Sequence, residues 1–262
     1  MTEEFDRETF KLEDGGTVGI DWAFDIDAKI GRPQRTSTKS KPIIIMFPGL
    51  GGDNDNIYTS YLLRKARSSG FKVGIGIFRG SAGLPITSGK LNYSGAWQDC
   101  KAILEYVHSK YVSVEKCERM YAYGISLGAN ILALYMVKEG TNANKIIDGA
   151  ALYGTPWSAK KGGDYFFNHT FGLYNKVFGL HCSETIRKKQ LPAMRPYLSE
   201  EDYAYYKKAL EGNWQGMQVL DSKVYPRMFG HATNEAYCDY VTIAERACEI
   251  KVPTFALGAE DD

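Results

Sequence analysis

The 262-residue chain contains no uninterrupted apolar run of about 18 residues, the least that a bilayer-crossing helix needs, so no transmembrane helix is expected. Its start, Met1-Thr2-Glu3-Glu4, lacks the basic flank and apolar core of a secretory signal. Charge of one sign is missing too. Lys and Arg number 32 against 31 Asp and Glu, a net charge of +1, which gives no reason to expect nucleic acid or another polyanion as a partner. Cys100, Cys117, Cys182, Cys238 and Cys248 are odd in number, scattered, and form no CxxC pair. That pattern argues against a disulfide framework and a zinc site, and predicts reduced thiols in a cytoplasmic protein. No repeat or low-complexity segment is present, and no cofactor or metal is expected. What remains is an ordinary globular composition, 44% hydrophobic and 24% charged, at a length suited to one large domain.

Strand and helix patterns alternate along most of the chain. Thr9–Leu12 and Val18–Trp22 alternate in polarity around Asp14-Gly15-Gly16, which predicts a β-hairpin. A polar loop is expected from Gly31 to Lys41. Pro42–Phe47 then reads as a strand buried on both faces. Residues 57–69 predict a helix with Ile57, Tyr61, Leu62 and Ala66 on its buried face. Phe71–Phe78 predicts a strand, and Trp97, Cys100, Leu104, Val107 and Tyr111 recur at helical spacing. Further strands are expected at 148–153 and 252–257. Between them, from Trp157 to Ala247, aromatic and charged residues mix in helix-like stretches. The expectation is a mostly parallel α/β sheet with right-handed crossovers. Residues 1–156 would form its N-terminal part, 157–247 a helical lid insertion, and 248–262 the return to the sheet.

Chemistry concentrates at Gly124-Ile125-Ser126-Leu127-Gly128, a Gly-x-Ser-x-Gly stretch placed between a strand pattern and a helix pattern. This is the arrangement of a nucleophile elbow, in which the serine occupies a strained backbone position at a sharp strand-to-helix turn. Gly124 and Gly128 remove β-carbons that would collide there. The hydroxyl would stand clear at the tip of the sheet, with a helix N-terminus behind it favouring developing negative charge.

In an open α/β sheet, ligands bind beyond the carboxyl ends of the strands, and two further ends carry suggestive residues. Pro48-Gly49-Leu50-Gly51-Gly52 matches neither GxGxxG nor a P-loop. The Leu50 backbone N–H, paired with that of Leu127, would form an oxyanion hole, with Gly49 allowing close approach of the substrate carbonyl. Gly258-Ala259-Glu260-Asp261-Asp262 offers an acid after a late strand. Asp262 is the first choice to orient a catalytic histidine and Asp261 the second.

Together with Asp14-Gly15-Gly16, Asp21-Trp22, Phe78-Arg79-Gly80 and Val252-Pro253-Thr254, these motifs make the chain resemble the α/β-hydrolase superfamily. More narrowly, it is similar to the yeast medium-chain fatty-acid ethyl ester synthase/esterases and their bacterial and animal relatives. The resemblance runs through nearly the whole chain outside 157–247. It implies an α/β-hydrolase fold with a helical lid, a Ser…Asp…His triad in that chain order, and hydrolysis of short- or medium-chain carboxylic esters of lipid type. Transfer of the acyl group to an alcohol would use the same machinery, and peripheral association with lipid droplets or membranes would fit such substrates.

The resemblance also implies a histidine some tens of residues beyond the acid, whereas the sequence ends at Asp262. Truncation is the expectation, and the alternative is an inactive protein of this fold that binds a lipid or a partner. Of the four histidines, His108 lies on the helix before the elbow, and His169, His181 and His231 lie in the insertion. Either His231 or His169 could approach Ser126, although lid histidines without a visible acid partner are more often structural. Arg79 would pin a loop in preference to contacting a substrate anion. Tyr203, Tyr205 and Tyr206, with Phe166, Phe167 and Phe171, would either line an acyl pocket or pack the lid on its base.

Overall fold

The sheet is built outward from β5, Ile43–Phe47, whose residues are apolar on both faces. A computed structural model describes residues 5–26, 33–34, 41–52, 57–115, 117–211 and 216–259. Two antiparallel strands lead in, β1 (Phe5–Lys11) and β2 (Thr17–Ala23), joined by a turn in which Gly15 takes φ 81°. The short strands β3 (Asp25–Ile26) and β4 (Pro33–Gln34) pair separately. Beyond β5 come β6 (Lys72–Ile77), β7 (Met120–Ile125), β8 (Gly149–Tyr153) and β9 (Thr254–Leu257). The seven-stranded sheet runs β1-β2-β6-β5-β7-β8-β9, antiparallel as far as β6 and parallel from there on. All five thiols are free, and burial raises the pKa of Cys100 and Cys117.

Alternation along β5 feeds a core on each face of the sheet. Ile43, Ile45 and Phe47 join Ile103 and Leu104 of helix α2 (Trp97–Val107) and Ile131 and Leu134 of helix α3 (Leu127–Glu139). Met46 faces the other way, against Val73, Ile75 and Leu63 of helix α1 (Ile57–Ser68). Every residue of α3 from Gly128 to Val137 is buried, as a helix apolar all round requires.

Two sequence expectations need correction. The inward face of α1 centres on Thr59 and Leu63, four residues apart, while Tyr61 is 70% exposed. Leu62 and Ala66 are only half-buried, and the Ile57 side chain lies outside the described residues. Leu62 and Ala66 do pack against the Leu63 cluster from its margin, so Tyr61 is the residue that leaves the expected face. The 252–257 strand shortens to Thr254–Leu257, all exposed, and among the described residues β9 pairs with β8 alone. Of the loop expected at 31–41, all but Pro33, Gln34 and Lys41 lies outside the described residues.

Between β8 and β9 the described chain is helical, including α4 (Ala159–Asn168) and α5 (Leu173–Thr185). Its two ends meet. Trp157 O accepts from Ile243 N at 3.0 Å and Ala244 N at 2.9 Å, and Ala159 N donates to Thr242 Oγ1 at 3.1 Å. No helix among the described residues is long and apolar enough to cross a membrane.

Candidate active site

Ser126 sits where β7 gives way to α3, at φ 50° and ψ −116°. A non-glycine residue pays such a conformation about 1–3 kcal/mol of strain, so its surroundings must enforce it. They do so through backbone. Ser126 N donates to Tyr153 O at 2.8 Å, tying the turn to β8, and Asn130 N donates to Ser126 O at 3.0 Å, starting the helix. A β-carbon on Gly124 would stand 2.5 Å from Ala129 Cα, and one on Gly128 2.2 Å from Phe47 O. Only glycine lets α3 fold back against β7 and β5 this closely. The serine itself is exposed.

The loop after β5 reaches the same place. A β-carbon built on Gly49 would lie 3.2 Å from Ser126 Cβ and 3.8 Å from its Oγ. Gly52 N donates to Gly49 O at 2.9 Å, closing a tight turn in which Gly51 takes φ 64° and Leu50 is 44% exposed. Leu127, half-buried, opens the first turn of α3. The backbone N–H groups of Leu50 and Leu127 have no acceptor among the described residues. The loop and the first turn of α3 therefore flank the serine with unpaired donors, as expected where a helix begins.

The third strand end is described as far as Ala259. Gly154 N donates to Leu257 O at 2.8 Å, so β9 ends level with β8, which separates it from the elbow strand β7. Asp261 and Asp262 lie outside the described residues. No histidine hydrogen-bonds to Ser126 among the described residues. His108 caps the end of α2, and His169 stacks on Tyr165 at 4.5 Å. His231 lies against Tyr237 and Tyr240 with a buried, unpartnered Nε2, and burial lowers its pKa.

Arg79 pins a loop. Its guanidinium forms a buried two-pronged pair with Asp99 at 2.6 and 2.7 Å, and also reaches Asp14 at 2.9 Å and Ser88 at 3.1 Å. Burial opposes the charge, but the bonds from Asp99 and Asp14 outweigh it and raise the arginine's pKa. The insertion's aromatics divide between buried and exposed positions. Arg195 lies over Tyr203 and Arg227 over Tyr205, while burial pushes the Tyr206 hydroxyl up to about 12. Phe171 is fully exposed, and the Phe166 side chain lies outside the described residues.

Two features were not legible in the sequence. Asn130, in the first turn of α3, is buried and donates through Nδ2 to Val241 O at 3.0 Å and Pro156 O at 3.4 Å. Asp221 accepts from Tyr237 Oη at 3.2 Å, and burial raises its carboxyl to about 6 despite that bond. Neither contact has a sequence signature, since each partner lies on a distant segment.

No family model matches the chain. It is similar to protein abhd-3.2 of Caenorhabditis elegans, with 24% identity over 260 residues, covering 98% of this chain and 63% of that protein. It is also similar to phospholipase ABHD3 of Mus musculus, with 22% identity over 265 residues, covering 99% of this chain and 59% of that protein. The chain thus spans about three-fifths of the length of these two relatives. Among solved structures, the Pyrococcus furiosus esterase Pf2001 superposes with a TM-score of 0.52 at 16% identity, covering 98% of this chain and 84% of that one. The strand order, the backbone-enforced turn at Ser126 and a likeness that runs along nearly the whole of this chain agree: the chain has the α/β-hydrolase fold and is similar to proteins of the α/β-hydrolase superfamily.

Proposed function

We propose that the protein hydrolyses carboxylic esters of lipid type, with short or medium acyl chains, through an acyl-enzyme on Ser126. The observation that carries this reading is the exposed, strained serine with Gly49 packed against it and the unpaired N–H groups of Leu50 and Leu127 alongside. Ser126 Oγ attacks the ester carbonyl, and the two N–H groups receive the oxyanion. The C–O bond to the alcohol breaks, and water releases the acid. Each well-placed oxyanion donor contributes about 3–4 kcal/mol to such a step. Asp262, with Asp261 as second choice, would orient the histidine that takes the serine proton. An alcohol in place of water would give acyl transfer. The names phospholipase and esterase carried by similar proteins support an ester substrate. In this reading the narrower kinship is with the yeast ethyl ester synthase/esterases, and residues 157–247 serve as the lid. Exposed Phe171, Leu173 and Val177 on that segment support peripheral association with lipid.

Hydrolysis of p-nitrophenyl butyrate and octanoate by wild type and Ser126→Ala tests the reading. Loss of turnover in the variant is the expected result, and equal rates would overturn it. A second reading, an inactive fold that binds a lipid or a partner, is favoured by one observation, that no described histidine contacts Ser126. Stable labelling of Ser126 by a fluorophosphonate excludes that alternative.

A further inference from the structure

Asn130 stands one helical turn past Ser126 on α3, with only 2% of its surface exposed. Its backbone belongs to the elbow, since Asn130 N bonds Ser126 O. Its side chain belongs to the insertion. Pro156, whose carbonyl it meets at 3.4 Å, is where the chain leaves β8 for the helical segment. Val241, whose carbonyl it meets at 3.0 Å, closes the last α-helix before the chain returns. Nδ2 carries two hydrogens, and the two neck carbonyls take one each. The neck is otherwise closed on itself, through Trp157 O with Ile243 and Ala244 and through Thr242 with Ala159. One amide group therefore joins the serine's own helix to both ends of the insertion.

We propose that Asn130 is a positioning residue that latches the neck of the insertion to the elbow helix and so sets how the insertion sits relative to Ser126. The proposal rests on Ser126 being the nucleophile. With residues 157–247 serving as the lid, as proposed above, an acetyl group attached to Ser126 stays within the reach of the 48–52 loop, whereas an octanoyl chain extends beyond it to the insertion. Loosening the latch therefore penalises the long ester more than the short one. A residue that merely braced α3 would penalise both alike.

Wild type, Asn130→Ala and Asn130→Asp are compared by hydrogen exchange and by kinetics. In both variants the amides of Ala159, Ile243 and Ala244 exchange faster while those of β7 keep their protection. The octanoate-to-acetate ratio of kcat/KM falls about 10- to 100-fold, mostly through KM for octanoate, as expected for a misplacement of roughly an ångström. Asn130→Asp recovers part of that ratio as the pH falls, because a protonated carboxyl can again donate to Val241 O whereas the carboxylate repels it. Unchanged exchange at the neck overturns the proposal, as does faster exchange with equal losses on both esters. If wild type hydrolyses neither ester, the reading of Ser126 is what fails, and the neck amides alone then uphold or overturn the latch.

Discussion

Gly128 and Phe47 meet backbone to backbone, with room for no more than a hydrogen between them. A β-carbon on the glycine would stand 2.2 Å from the Phe47 carbonyl oxygen and 2.5 Å from that of Pro48. Because this contact locks the elbow helix onto the strand that feeds the 48–52 loop, Gly128→Ala should cost more than about 3 kcal/mol. Gly51 is the control. It has positive φ but nothing within 4 Å of an added β-carbon, so Gly51→Ala should cost only about 1–2 kcal/mol. Urea denaturation of the two variants measures the difference, and equal losses would contradict the packing argument.

The strain at Ser126 can be measured apart from chemistry. Ser126→Ala keeps a β-carbon at φ 50°, whereas Ser126→Gly releases it. Relief of about 1–3 kcal/mol of strain outweighs the roughly 0.5–1 kcal/mol that glycine loses in chain entropy. The glycine variant should therefore melt higher than the alanine variant, and both should lose fluorophosphonate labelling. A lower Tm for the glycine variant would mean that the turn is not strained.

Arg79→Ala leaves the Asp99 carboxylate buried without its partner. Removing one member of such a pair costs about 3–5 kcal/mol, while replacing both with apolar residues of similar volume is far milder. Arg79→Met combined with Asp99→Leu should accordingly be more stable than Arg79→Ala alone in a denaturant titration. The reverse order would show that the pair stabilises the loop by more than its burial costs.

Asp221 predicts a pH dependence. Its carboxyl, raised to about 6 by burial, binds a proton more tightly folded than unfolded. The folded state therefore loses stability as pH rises from about 4, the unfolded value, through about 6. Asp221→Asn removes that loss and keeps an acceptor for Tyr237 Oη. Its Tm should exceed that of wild type at about pH 8, with the gap closing by about pH 4. A gap that widens toward acid would reverse the assignment.

The strands and the elbow could be read because their signals are local. Apolar runs such as Ile43–Phe47 and glycines two residues either side of Ser126 act through neighbours in sequence. Whatever depends on distant partners stayed hidden. The inward face of α1 is fixed by which residue meets Met46 and Ile75, and nothing within residues 57–69 distinguishes Leu63 from Tyr61 for that purpose. Nothing near Asn130 in the chain marks it out, since its acceptors lie 26 and 111 residues away. Arg79 could be read as a loop pin from its place just past a strand end, but its partners could not. Its main partner, Asp99, lies in the first turn of α2, where an acid needs no such partner to be accounted for.

The closed neck also bears on how the sheet is assembled and how it could be remodelled. Leu152 and Ala256 pair across adjacent strands although about a hundred residues separate them in the chain. Such a pairing is slow when the intervening loop must close from a random coil. With Trp157 bonded to Ile243 and Ala244, the intervening segment presents its two ends side by side, and β9 has only a short search to make. The same closeness makes the helical segment a cassette. Because Trp157 and Ile243 lie side by side, the outer part of the segment could be shortened or exchanged without stretching β8 or β9, provided that residues such as Leu191, Leu220 and Tyr237, which share the core with the sheet, are kept.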